Sequence, residues 1–160
     1  MVEPKVIDNF LPEDLFLDIN SKLSSAPLPW KWNTTITFED EECDNGYFSS
    51  LFYEMTIKHP SIRIIGSLLD AIDIKACIRI KMNLYTRTEK LIHHADHSDT
   101  PYSHKGALFS LNTCDGFTVI DGVEIPSVAN RMIFFDPSIP HHSTNCTNAP
   151  HRKNINFNYF

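Results

Sequence analysis

Histidine is unevenly distributed along this 160-residue chain, and its distribution suggests a metal site. Seven of the eight histidines lie within residues 93–151. Two of them form a His-x-Asp pattern, as His94/Asp96 and His97/Asp99. Because residues i and i+2 of an extended segment face the same side, either pair would direct one imidazole and one carboxylate at a common point. The second half of the chain is therefore the expected place for a metal ion.

A third ligand must come from another strand, and four later histidines could supply it. They are His104, His141, His142 and His151. His141 and His142 are the best placed, because they follow the run 131–136 (RMIFFD), which is typical of a buried strand. Two histidines and one carboxylate on one side of a metal leave three positions open, the facial arrangement of non-haem Fe(II) oxygenases.

Short β-prone runs separated by turn residues must position these side chains. Eight such runs follow Ile74, at 75–86, 90–96, 106–113, 117–121, 123–126, 131–136, 141–147 and 152–159. Asp115-Gly116 and Asp121-Gly122 both favour hairpin turns. Eight closely spaced strands predict a sandwich or barrel, and eight is the strand number of a jelly roll.

The last predicted strand alternates between a polar and an apolar row. The polar row is Arg152, Asn154, Asn156 and Asn158, and the apolar row is Lys153, Ile155, Phe157 and Tyr159. This alternation predicts that the polar row lines a cavity while the apolar row packs under covering helices. Arg152 begins the polar row, and its guanidinium suits bidentate binding of a carboxylate.

The first part of the chain supplies the expected helical cover. Apolar residues at helical spacing predict helices over about 11–24 and 60–72, separated by an acidic, exposed loop at 38–46. We therefore expect a single domain, 1–160, in which residues 1–73 pack on one outer face of a β core at 74–160.

The second half of the chain resembles the Fe(II)/2-oxoglutarate-dependent dioxygenases, closest to the prolyl 4-hydroxylase-like branch. The matching stretches are RIKMNLY (79–85), HSD (97–99), SLNTCDGFTVIDG (110–122), NRMIFFDPSIPHH (130–142) and RKNINFNY (152–159). The resemblance implies a mainly β protein with a double-stranded β-helix, or jelly-roll, core of eight strands and N-terminal helices on one outer face.

The resemblance also implies roles for individual residues. His97, Asp99 and His141 would bind Fe(II), and Arg152 would hold the far carboxylate of the cosubstrate 2-oxoglutarate. Tyr85 falls where that branch has a tyrosine that reaches the same carboxylate. Asn154 stands where many family members have serine, and its amide can also donate to a carboxylate.

The implied activity is oxidative. The enzyme would use O2 and 2-oxoglutarate to hydroxylate an unactivated C–H bond and would release succinate and CO2. The charges of Fe(II), Asp99, 2-oxoglutarate and Arg152 sum to zero, which suits a partly dry interior. The expected substrate is a peptidyl proline or another protein side chain, then a free amino acid or small metabolite, and then a nucleobase.

Alternatives remain open at this point. His94/Asp96 could replace His97/Asp99, and His142 could replace His141. The other classes of protein compatible with the residues are a zinc-type metal-dependent hydrolase and a non-catalytic jelly-roll binding module. His59, His104 and His151 are expected to be exposed.

Composition excludes several other functions. Fourteen Lys and Arg against 20 Asp and Glu give a net charge of −6, which does not favour nucleic-acid binding. No apolar run approaches the roughly 18–20 residues that span a bilayer, and the first residues do not resemble a signal peptide. None of the four cysteines belongs to a CxxC pair. These features predict a cytoplasmic location, with no membrane partner.

Overall fold

The computed structural model describes residues 3–35 and 46–160. Apart from Gly46, the predicted acidic loop at 38–46 lies outside the described residues. The elements, in chain order, are β1 (Lys5–Ile7), α1 (Glu13–Ser25), β2 (Lys31–Asn33), β3 (Tyr47–Glu54), β4 (Ile57–Lys58), a 3-10 helix (Pro60–Ile65), α2 (Gly66–Ile72), β5 (Cys77–Thr86), β6 (Lys105–Ser110), β7 (Phe117–Ile120), β8 (Val123–Pro126), β9 (Arg131–Phe135), β10 (His141–Ser143) and β11 (His151–Tyr159). The protein is mainly β with few helices.

Helix α1 confirms the helix predicted over 11–24. Pro12 precedes its first turn, where Glu13 and Asp14 place negative charge at the helix N-terminus. The side chains that it buries are Phe16, Ile19 and Leu23. Leu15 is 37% exposed, because the helix turns the neighbouring Phe16 towards the core instead.

The helix predicted over 60–72 is also present, but its first half is a 3-10 helix that continues into α2. Pro60 opens the 3-10 helix, which suits proline because the first turn needs no backbone donor there. The buried side chains of the two pieces are Ile62, Ile65, Leu68 and Ile72.

The strands form two antiparallel sheets. The larger has eight strands in the order β1-β9-β6-β11-β5-β3-β2, with β4 paired to β3, and the smaller has the order β10-β7-β8. Residues of both sheets line one cavity. This architecture is consistent with a jelly roll.

The expectation that residues 1–73 form only a helical cover is wrong. This region also contributes β1–β4, and β3 pairs along β5 inside the large sheet. The run YFSSLFYE of β3 is rich in aromatic residues, which favour strands. Its burial does not alternate regularly, however, and a register shift interrupts its pairing with β5, so the period-two signal is weak.

The two Asp-Gly pairs differ in the structure. Asp121-Gly122 forms the predicted hairpin turn between β7 and β8, with positive φ angles of 50° and 78°. Asp115-Gly116 is not a hairpin turn, because β6 and β7 pair with other strands. Gly116 instead permits a close approach: a Cβ there would lie 2.8 Å from the Cδ atom of Arg152.

The predicted strand at 90–96 is reduced to isolated antiparallel bridges beside β10. His93 pairs with Thr144, and His97 pairs with His141. Between these two bridges the chain advances four residues on one side, from His93 to His97, but only three on the other, from His141 to Thr144. The His93–His97 side therefore contains one extra residue, which interrupts the ladder. This irregularity matters for the site, because it changes which side chains face inwards.

The alternation predicted for β11 is confirmed. Ile155 and Phe157 are fully buried in the main hydrophobic cluster, together with Phe16 of α1. On the opposite face, Asn154 and Asn156 line the cavity. One strand therefore anchors the helices on one side and supplies polar side chains on the other.

This two-faced strand gives a stability prediction. Phe157→Ala removes a fully buried ring and is expected to lower the free energy of unfolding by about 3–5 kcal/mol. Asn156→Ala, one residue away on the cavity face, is expected to lower it by at most about 1 kcal/mol. Chemical denaturation of the metal-free proteins measures both changes. Equal losses would contradict the assignment of the two faces.

Candidate metal centre and adjoining cavity

His97, Asp99 and His141 converge in the structure. Each offers one ligand atom, and these atoms all lie within 4.8 Å of one another. The two histidines are cross-strand partners: the backbone N–H of His97 donates to the His141 carbonyl at 3.0 Å, and that of His141 donates to the His97 carbonyl at 2.9 Å. Directly opposed residues project to the same side of a ladder, which brings the two imidazole centroids to 4.5 Å.

Backbone carbonyls orient both imidazoles. The Nδ1 atom of His141 lies 2.9 Å from the Ile139 carbonyl, and that of His97 lies 3.3 Å from the Ala95 carbonyl. If Nδ1 carries the proton in each ring, Nε2 is left as the metal-binding atom. Burial lowers the pKa of His141, which favours the neutral imidazole that binds metals.

Asp99 is held by donors on both carboxylate oxygens. Arg79 of β5 donates to Oδ1 at 3.0 Å, and Asn158 of β11 donates to Oδ2 at 2.9 Å. Burial opposes ionisation of Asp99, but the Arg79 guanidinium and the Asn158 hydrogen bond outweigh it and hold the pKa below its ordinary value. A buried, ionised and oriented carboxylate is what a metal ligand requires.

His104 belongs to this support rather than to the surface. It was expected to be exposed but is only 6% exposed, and its Nε2 atom lies 3.2 Å from the Asn158 Oδ1 atom. His104 thereby fixes the Asn158 amide that donates to Asp99. The expectation of an exposed His104 was wrong because its burial depends on a tertiary contact with Asn158, 54 positions further along the chain.

The Asn158 contact predicts an effect on metal affinity. Loss of a hydrogen bond to a metal ligand typically weakens metal binding by about 10–100-fold, and we expect Asn158→Ala to weaken Mn(II) binding by that factor. Asn156→Ala is the matched control, because it removes the same side chain two positions away on the same strand face. Mn(II) calorimetry measures both variants, and identical affinities would show that Asn158 does not orient the carboxylate.

The alternative pair His94/Asp96 does not converge. The His94 ring stacks on Tyr85 at 5.3 Å between centroids, whereas the Asp96 side chain is 67% exposed. Asp96 instead accepts from the Nδ1 atom of His142 at 2.6 Å, and the His142 Nε2 atom lies 3.2 Å from His93. The extra residue between His93 and His97 separates the two side chains of the pair.

Arg152 is a buried cation that has no counter-ion in the described part of the chain. It is 1% exposed, and no carboxylate of the described residues lies within 4 Å of it. It donates to the Thr144 carbonyl at 2.8 Å and to the Thr118 hydroxyl at 2.6 Å, while its Nε atom has no partner among the described residues. Burial lowers its pKa. Because an unpaired buried charge is costly, this position suits an anionic ligand.

Tyr85 and Asn154 adjoin Arg152. The Arg152 guanidinium lies 5.6 Å from the centroid of the Tyr85 ring, and Asn154 accepts a hydrogen bond from Asn83 at 3.0 Å. The buried Oδ1 atoms of Asn83 and Asn156 have no hydrogen-bond partner within the described part of the chain. The Arg152 cation fits an anionic cosubstrate, and the His-Asp-His group fits a divalent metal.

Three polar residues of the site were missed at the level of sequence. They are Arg79 and Lys81 of β5 and Tyr47 of β3, all beside or lining the cavity. A signal existed for β5, because RIKMNLY alternates polar and apolar residues as β11 does. No comparable signal marked Tyr47.

No helix within the described ranges is long and apolar enough to cross a membrane. No model of a protein family matches the chain, and no curated protein is similar to it in sequence.

The chain shares its fold with structures of 2-oxoglutarate/Fe(II) oxygenases. A 2OG-Fe(II) oxygenase family oxidoreductase from Burkholderia pseudomallei superposes with a TM-score of 0.70 at 12% identity, over 98% of this chain and 84% of that one. A Trichoplax adhaerens prolyl hydroxylase, in complex with a peptide fragment of the hypoxia inducible factor oxygen degradation domain, gives 0.67 at 15% identity over 98% and 83%. A prolyl-4-hydroxylase from Pseudomonas putida gives 0.61 at 15% identity over 98% and 91%.

Proposed function

We propose that the protein is an Fe(II)- and 2-oxoglutarate-dependent dioxygenase that hydroxylates an unactivated C–H bond, built on a double-stranded β-helix. The observation that carries the proposal is the combination in one interior of a convergent His-Asp-His group and a buried arginine that no carboxylate of the described residues pairs with. The likeness of fold to oxygenases supports the same activity.

His97, Asp99 and His141 would hold the iron. The carbonyls of Ala95 and Ile139 fix the two imidazoles, and Arg79 and Asn158 fix the carboxylate. Because these supports lie on the strands themselves or beside them, the ligands are preorganised and need little rearrangement on metal binding.

Arg152 would hold the far carboxylate of 2-oxoglutarate, with Tyr85 and Asn154 beside it. A charge-assisted bidentate contact of this kind orients the cosubstrate as well as binding it. Most of the surrounding residues are buried, so bulk water is kept away from this end of the cavity. When bound together, iron, 2-oxoglutarate and O2 supply an oxidation that transfers one oxygen atom to the substrate C–H and the other to succinate, with loss of CO2.

The substrate is proposed to be a peptide or a small molecule. The Trichoplax prolyl hydroxylase is bound to a peptide, and prolyl or other protein side chains remain candidates on that similarity. A zinc-type hydrolase, in contrast, would leave the buried Arg152 without a ligand.

Succinate formation tests the proposal. Purified protein should release succinate from 2-oxoglutarate in the presence of Fe(II), O2 and a substrate from a panel of peptides, amino acids and metabolites. The His141→Ala protein, treated identically, should release none. Succinate release that is equal in the two proteins would contradict the proposed site.

A further inference from the structure

Lys81 is a second cation in the cavity that the proposed reaction does not use. It lies on β5, two residues from Arg79, and lines the same cavity as His97 and Asp99. Its ammonium donates to the Tyr47 hydroxyl at 3.1 Å and lies 5.3 Å from the centroid of that ring. These contacts hold the ammonium towards Tyr47 rather than letting it extend into solvent.

No carboxylate in the described part of the chain pairs with Lys81. Asp99 and Glu54 both act on it electrostatically, but neither lies within 4 Å of the ammonium. Burial lowers the pKa of Lys81 and raises that of Tyr47, so the phenol does not supply the missing negative charge. Lys81 is therefore a partly buried cation whose polar contact is neutral.

The charges of the proposed complex indicate what kind of group pairs with Lys81. Fe(II), Asp99, 2-oxoglutarate and Arg152 sum to zero. Arg79, whose ion pair is with Asp99, and its cross-strand neighbour Glu54 together add no net charge. One positive charge, that of Lys81, then remains without a counter-ion among the described residues. In that arrangement both carboxylates of 2-oxoglutarate would be engaged, one at Arg152 and one at the metal. Neither they nor the described residues then pair with Lys81, and another molecule is its proposed counter-ion.

The position of Lys81 favours the substrate as that molecule. Arg152 is 1% exposed and does not line the cavity, whereas Lys81 is only partly buried and lines it, so Lys81 lies nearer to the solvent side than Arg152 does. It also lies near the metal ligand Asp99, whose charge acts on it.

We propose that Lys81 and Tyr47 form a carboxylate-binding subsite, and that the substrate of this enzyme carries a carboxylate close to the carbon that is hydroxylated. The inference rests on the proposed function. The carboxylate can be the α-carboxylate of a free amino acid or the side chain of an acidic residue in a peptide. Both present the same group to the ammonium and the phenolic hydroxyl.

Matched acids and amides test the subsite. Protein loaded with Mn(II) and 2-oxoglutarate is titrated calorimetrically with free amino acids against their carboxamides, and with N-acetylated Asp and Glu amides against the Asn and Gln counterparts. We expect at least one acid to bind about tenfold or more tightly than its amide, as loss of a charge-assisted contact implies. The first set identifies an α-carboxylate and the second an acidic side chain.

Variants assign the preference to Lys81. In Lys81→Met the acid should lose its advantage over the amide, whereas Lys81→Arg should keep most of it. Lys153→Met is the matched control, since Lys153 is another partly buried lysine on the large sheet, on the row opposite the cavity. The melting temperature of metal-free Lys81→Met confirms that the variant is folded.

Three results would overturn the inference. They are an equal affinity for acid and amide throughout the panel, an acid preference that survives in Lys81→Met, or a loss of 2-oxoglutarate affinity in Lys81→Met, which would assign the lysine to the cosubstrate. Failure of the wild-type protein to bind Mn(II) and 2-oxoglutarate is a separate outcome, seen before any acid is added, and it would overturn the proposed function itself.

Discussion

His141→Ala is expected to abolish tight metal binding. It removes one of three proposed ligands, so we expect the affinity for Mn(II) to fall by more than the roughly 100-fold that loss of an outer hydrogen bond can cause. His97→Ala should have the same effect, since its imidazole lies 4.5 Å from that of His141 between centroids. Calorimetry with Mn(II) under identical conditions measures both losses.

The control for this prediction is a variant of the alternative pair, His94/Asp96, which the sequence alone does not exclude. Asp96→Ala should leave the Mn(II) affinity within about threefold of the wild type, because the Asp96 side chain is 67% exposed and pairs with His142. Stoichiometric, tight Mn(II) binding by His141→Ala together with its loss in Asp96→Ala would transfer the site to the other His-x-Asp pair.

Arg152→Met is expected to weaken 2-oxoglutarate binding while leaving the metal site intact. Loss of a buried, charge-assisted pair is worth on the order of 2–4 kcal/mol, or about 30- to 1000-fold in affinity. The variant should fold, because it removes a buried cation that has no counter-ion among the described residues. Calorimetry of 2-oxoglutarate with the Mn(II)-loaded protein measures the change.

Lys153→Met controls for the loss of any positive charge on β11, because Lys153 follows Arg152 directly and projects from the opposite face. We expect it to bind 2-oxoglutarate like the wild type. An unchanged dissociation constant in Arg152→Met would mean that another cation, with Lys81 the first to examine, anchors the cosubstrate.

Periodicity made much of this fold predictable. The alternation of β11 showed which side chains face the cavity and which face the helices, because the period of a strand is two. Helix α1 was predictable from apolar spacing and its acidic first turn. The set of His97, Asp99, His141 and Arg152 was suggested by the resemblance to the dioxygenases and not by periodicity.

Pairing register was not predictable. One extra residue between His93 and His97 separates Asp96 from the cavity, and a shift by one residue reverses the face of every later side chain in a strand. The sequence alone could therefore favour His97/Asp99 over His94/Asp96 only through the resemblance.

The contacts that hold the metal-ligand side chains in place were not predictable either, because they too depend on how the strands pair. The Arg79–Asp99 ion pair and the His104–Asn158 contact join residues 20 and 54 positions apart. Such contacts depend on how strands are placed in three dimensions. Lys81 is different. The alternation of β5 was visible in the sequence, but only the folded protein shows that no carboxylate of residues 3–35 and 46–160 pairs with this lysine.

The central claim is that the metal ligands and Arg152 form one binding site, and the dependence of 2-oxoglutarate binding on metal tests it most directly. Calorimetric titration of 2-oxoglutarate, with and without saturating Mn(II), is the measurement. We predict one molecule bound per chain and an affinity at least about tenfold higher with Mn(II), because the two ligands would contact each other and their binding energies would be coupled. The same affinity with and without Mn(II), or no binding in either condition, would contradict the account.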